Sequence, residues 1–213
     1  MTYERLLSIV GDEPAFETAL LLAGDVDAKD VRRQLSRWVK AGKLYQLRRG
    51  LYALAPPYRK TSPHPFCLAN RLVRPSYVSL QSGLAHYGLI PEYVPVTTSV
   101  TTARPGRFDT PLGSFEFHHV KRELFLGYCL NDLGEGQRVF LATPEKALLD
   151  LLYLTPGSQS EVYLSELRLQ NLESLDLDQL GRLADRFGQP RLRRAAASLA
   201  QLARAEAGEY ERL

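Results

Sequence analysis

Ten cationic side chains, Lys29, Arg32, Arg33, Arg37, Lys40, Lys43, Arg48, Arg49, Arg59 and Lys60, fall between residues 28 and 60 against a single acid, Asp30. The local balance is +9, whereas residues 1–27 carry −5 and residues 61–213 carry −1, so the excess behind the net charge of +3 sits in one short stretch. Such a cluster can hold a polyanion. Guanidinium and ammonium groups pair with phosphate oxygens, and the arginine fork also matches the acceptor edge of guanine. A merely solubilising face would carry acids at i+4 or between the bases, and this one does not. A membrane-surface role fits less well, because the apolar side of the same segment is interrupted by Gln34 and ends in Trp38, a side chain suited to a small core.

Residues for covalent or metal chemistry are sparse. The chain has no Walker loop, no strand-associated GxGxxG, no GxSxG and no HExxH. His118 and His119 are adjacent on an expected strand, so they point to opposite faces and make a poor pair of metal ligands. His64 with Cys67 is an equally thin metal candidate, and Cys67 and Cys129 lack the CxxC spacing of a zinc or redox site and fit a reducing compartment. Glu145 is accounted for by the dipole of the helix it opens, and Asp150 by Lys146 one turn before it. The expectation is a protein that is not an enzyme, with no cofactor and no metal. One basic group remains: Arg191, Arg193 and Arg194 open a helix begun by Pro190, where cations are mildly disfavoured. They pair with Asp185 or Asp178, or they form a second anionic contact.

The elements that must position the basic stretch follow from periodicity. Leu6, Leu7 and Val10 mark a first helix ended by Gly11-Asp12-Glu13, and Pro14 to Gly24 reads as a second. Asp27 caps a third, in which Val31, Leu35, Trp38 and Val39 form one apolar stripe. Lys29, Arg32, Arg33, Ser36, Arg37 and Lys40 occupy the rest of its circumference until Gly42. Leu44–Arg48 and Leu51–Leu54 flank Arg49-Gly50 as a hairpin with arginines at its tip. Three helices and a hairpin, with bases on the third helix and at the tip, are the layout of a winged helix-turn-helix over residues 1–57. Its third helix would enter the DNA major groove, and Arg48 and Arg49 would reach a neighbouring phosphate or the minor groove.

A proline-rich connector, Ala55 to Pro65, leads to a second unit over residues 58–213. Helices are expected near Pro65–Val73 and Leu80–Tyr87. A short stretch, Tyr77-Val78, separates them, and strands are expected at Tyr93–Thr102, Ser114–Val120, Leu124–Leu130 and Gln137–Leu141. Thr143-Pro144-Glu145 opens a further helix, and Leu164–Leu202 is helical with breaks near Gly181, Gly188 and Pro190. The fold class is therefore α+β: a winged helix-turn-helix followed by a mixed α/β domain with an antiparallel sheet and a helical C-terminal end. Apolar residues at 45% and charged residues at 24% exclude whole-chain disorder, collagen and coiled coil. No run of about 18 apolar residues is present, and the acidic first thirty residues carry the wrong charge for a secretory leader, so a cytoplasmic location is expected.

Lys40-Ala41-Gly42-Lys43-Leu44-Tyr45 running into Arg48-Arg49-Gly50-Leu51-Tyr52-Ala53-Leu54, Tyr77 to Pro91 (YVSLQSGLAHYGLIP), and Ala142 to Asp150 (ATPEKALLD) occur in an order that resembles the AbiEi-type antitoxin and transcriptional regulator family of bacteria. That resemblance implies an N-terminal winged helix that represses its own operon through inverted repeats. It also implies a C-terminal domain needed to neutralise a cognate nucleotidyltransferase-like toxin, without a stable complex of the two. The expected partner is double-stranded operator DNA, with no membrane. A domain of about sixty residues is marginal alone, so the chain is expected to bind as a monomer or weak dimer, cooperatively, at half-sites about 10 bp apart. The competing expectation is a protein-interaction module whose basic helix docks an acidic surface and which neutralises its toxin by direct binding.

Overall fold

Thr2 opens the first helix, α1 (Tyr3–Val10), by accepting the Arg5 N–H at 3.3 Å, and Gly11 closes it at φ 58°. The computed structural model describes residues 1–23, 26–158 and 160–210. Where a second helix is expected, the chain instead forms a two-residue strand, β1 (Phe16–Glu17), and a 3-10 turn over Thr18–Leu22. The expected stop at Gly24 lies outside the described residues. The reason is geometric. Phe16 and Leu21, the buried apolar anchors of this stretch, stand about 140° apart on an α-helix and could not share its inner face. As a strand, Phe16 pairs with Tyr52 and stacks on its ring at 5.9 Å, while Thr18 donates its N–H to Gly50 O at 2.9 Å.

Helix α2 (Ala28–Lys40) begins where Asp27 accepts the Lys29 N–H at 2.7 Å. Strands β2 (Leu44–Arg48) and β3 (Leu51–Leu54) follow, and β1 adds to the far side of β3, giving the sheet order β1-β3-β2. Leu6, Val10, Phe16, Val31, Leu35, Trp38 and Leu44 close a common core, with the Tyr3 ring edge-on to Trp38 at 5.3 Å.

The proline-rich segment after β3 is tied down at several points. Lys60 pairs with Asp12 at 3.0 Å, Tyr58 lies edge-on to Tyr3, and the Gln137 amide donates to Ser62 O while its carbonyl accepts the His64 N–H. The chain then forms α3 (Pro65–Leu72), β4 (Ser76–Val78), α4 (Leu80–His86), β5 (Val96–Thr101), β6 (Gly106–Thr110), β7 (Gly113–His119), β8 (Tyr128–Asp132), β9 (Arg138–Ala142) and α5 (Pro144–Leu154).

The six strands lie in the order β6-β7-β5-β4-β9-β8. The sheet is mixed, which corrects the antiparallel expectation: β7 runs parallel to β5, and β9 parallel to β4. Strand β6 is the cause at one end. It takes the edge position and hairpins into β7, so β7 enters beside β5 in the same direction. Its sequence, GRFDT, has one apolar residue and no alternation to reveal it. Leu124, expected in a strand, is the buried end of a 3-10 turn, and the strand starts only at Tyr128.

Helices α6 (Glu161–Glu166), α7 (Leu177–Phe187) and α8 (Pro190–Tyr210) complete the chain, with Gly181 inside α7 and Gly188, at φ 67°, ending it. The pleat divides the core. Tyr77, Val100 and Ala142 face a cluster built with α4, α5, α7 and α8. Val78, Phe117 and Leu141 face the other way, against α3 and the hairpin residues Leu47, Leu51 and Ala53. The N-terminal hairpin and the six-stranded sheet therefore share one apolar cluster.

Candidate nucleic-acid interface

The amphipathic period of α2 fixes which side chains it presents. Val31, Leu35 and Trp38 are buried, and Lys29, Arg32, Arg33, Ser36, Arg37 and Lys40 are all exposed. Arg33 forms an ion pair with Asp30, the acid one turn earlier. Both groups are solvated, and such a pair contributes at most about 1 kcal/mol, so a phosphate can compete for the guanidinium. Lys29, Arg32, Arg37 and Lys40 make no ion pair among the described residues.

The hairpin supplies one cation to the exterior. Arg49 is exposed beside Gly50, whose φ of 82° makes the tight turn. Arg48 differs from its expected place at the tip. It is half-buried, donates to Arg49 O at 3.1 Å and to Arg71 O at 3.3 Å, and lies 3.6 Å from the Glu17 carboxylate. The pairing of β2 with β3 is irregular between Gln46 and Arg48, so plain alternation does not hold there: Arg48 turns toward Arg71 of α3, while Arg49 lies in the turn itself. Its buried Nε has no partner.

Lys43 spreads over the Tyr3 ring, 4.5 Å from the centroid, and the Tyr3 hydroxyl donates to Lys43 O. Burial, and then Tyr58, push that hydroxyl up to about 12, so Tyr3 stays neutral and packs.

The three arginines at the start of α8 do not converge on one partner. Arg193 pairs with Asp185 at 2.8 Å. Arg191 donates to the Gln189 side chain at 2.7 Å and to Tyr153 O at 2.9 Å. Arg194 stands exposed.

The other candidates also separate. His118 lies 3.3 Å from Glu116, while His119 Nδ1 is 3.0 Å from Ala103 O. His64 caps α3 by accepting the Phe66 N–H, and Cys67 is buried with its thiol donating to Arg138 O. Among the described residues no group of three His, Cys, Asp or Glu side chains could hold a metal ion.

Glu145 does more than answer a helix dipole. It is buried and accepts hydrogen bonds from Asp176 N and the Gln179 amide, fastening α5 to α7. Lys146 and Asp150 pair as their i, i+4 spacing suggests, but wholly inside the protein. Asp150 also accepts the Tyr77 and Ser79 hydroxyls at 3.0 and 2.8 Å, and Lys146 donates to the Tyr77 oxygen at 2.8 Å. Desolvation pushes Asp150 up and Lys146 down, and their mutual attraction opposes it. The i, i+2 spacing of Tyr77 and Ser79 puts both hydroxyls on one side of the chain, a signal that sequence reasoning passed over.

No family model matches the chain, and no curated protein matches it. No helix among the described residues is long and apolar enough to cross a membrane.

Proposed function

We propose that the protein is a sequence-specific DNA-binding repressor that acts on its own operon. In this reading residues 1–57 are a winged helix-turn-helix, with α2 as the major-groove helix and β2–β3 as the wing. The observation that carries it is the outward face of α2: five cations and Ser36 exposed, one acid among them, and the opposite stripe anchored by Leu35 and Trp38. A helix about 10–12 Å wide fits the major groove, where arginine forks read guanine O6 and N7. Arg32, Arg33 and Arg37 are the base-reading candidates, and Lys29, Lys40 and Arg49 position the domain on phosphates.

The likeness of residues 40–54, 77–91 and 142–150 to AbiEi-type antitoxins supplies the rest of the proposal. The operon encodes a nucleotidyltransferase-like toxin, and residues 58–213 serve its neutralisation. Footprinting over the DNA upstream of the gene tests the DNA half. The wild type protects an inverted repeat, and Arg32→Glu with Arg37→Glu abolishes protection while leaving the melting temperature unchanged. A footprint that survives the double reversal rejects the assignment of α2.

A further inference from the structure

Of the arginines that open α8, Arg193 pairs with Asp185, whereas Arg191 and Arg194 join Arg168 around a cavity distant in sequence from α2. This cavity, of about 980 Å³, opens between α6, the 3-10 turn at Leu172–Ser174 and α8. That size lies at the upper end of the range for small-molecule sites, roughly 300–1,000 Å³. Leu164, Leu169, Leu172 and Leu202 line it, together with the side chains of Arg168, Arg191 and Arg194. No carboxylate does so among the described residues. Arg168 and Arg194 are exposed and form no ion pair or side-chain hydrogen bond among the described residues, whereas Arg191 is steadied by Gln189 and Tyr153 O.

The distribution of charge along the cavity says what fits. Helix α8 lines it from Arg191 to Ala205, a span of about 21 Å at 1.5 Å per residue. Both of its cations lie within its first five residues, and the following turns contribute Ala195, Ser198, Gln201, Leu202 and Ala205, none of them charged. A partner helix with acids spread along its length would need cations spread likewise. One charged end and a long uncharged stretch instead match a molecule with one anionic head and an apolar tail. Arg194, near the positive end of the α8 dipole, is also mildly disfavoured there, and an anion relieves that repulsion.

We propose that this cavity binds a monomeric amphipathic anion, its carboxylate or phosphate head paired with Arg194 and Arg168. The aliphatic body, on the order of a dozen carbons, lies along α8 against Leu202.

Calorimetric titration of the full chain with sodium dodecanoate below its micelle concentration tests this, with acetate and dodecyltrimethylammonium as controls. The expected result is one saturable site for dodecanoate, weakened about tenfold or more by Arg194→Glu and by Ser198→Trp, and no saturable binding of either control. Arg194 is exposed, so the charge reversal should leave the melting temperature unchanged, and the controls need no variant. Four results overturn the proposal: no saturable dodecanoate binding, equal binding of the cationic amphiphile, affinity unaltered in both variants, or capture of an acidic amphipathic peptide in place of dodecanoate.

Discussion

Lys146 and Asp150 form an ion pair with no access to water, and an isolated charge there would be costly, so each side chain depends on the other and on Tyr77 and Ser79. Asp150→Ala leaves a buried ammonium without its carboxylate, and urea unfolding should show a loss of about 3–5 kcal/mol. Replacing both with Lys146→Met and Asp150→Leu should cost less than either single change.

A second residue-scale effect concerns pH. Burial holds His64 and His86 below the ordinary imidazole value of 6.5, and for His64 the neighbouring His86 adds to it. A base with a lower pKa folded than unfolded loses stability as pH falls through 6.5, because the unfolded chain takes the proton first. The melting temperature should drop between pH 7 and pH 5, and by less in His86→Gln.

Elements differed in how legible they were. Helix α2 could be read whole, because cap, stripe and stop all lie within the sixteen residues from Asp27 to Gly42 and agree. Strand β1 could not, since two residues carry no period and its partner is about thirty-five positions away. The parallel pairings of the sheet were likewise invisible, because they depend on where β6 goes rather than on any local pattern. Close helix contact was also hidden. A Cβ at Gly83 would come within 2.9 Å of the Ala147 Cβ, so α4 and α5 approach through that glycine. Gly83→Val should force them apart and destabilise by about 1–3 kcal/mol, measurable by denaturant unfolding.

At the scale of the molecule, the basic face and the arginines of the candidate interface were readable from the charge count, except for Arg48. The sequence describes its chemistry but not the neighbour, Arg71 O, that turns it inward. The connector after β3 looked like a spacer, yet Ala15, Leu47, Leu51 and Ala53 bury themselves with Phe117, Leu141 and α3. A fragment of residues 1–57 would expose that surface, and calorimetry should find it melting well below the full chain, or not cooperatively at all.

The salt dependence of affinity for the DNA upstream of the gene tests the central claim most directly. Six exposed cations, Lys29, Arg32, Arg33, Arg37, Lys40 and Arg49, stand ready for phosphates or bases. If all six displace counterions, log affinity falls with log salt at a slope near −5, and Lys40→Ala, which removes a phosphate contact, makes it shallower by about one. A slope near zero, or the same affinity for unrelated DNA throughout, would contradict a sequence-reading basic helix.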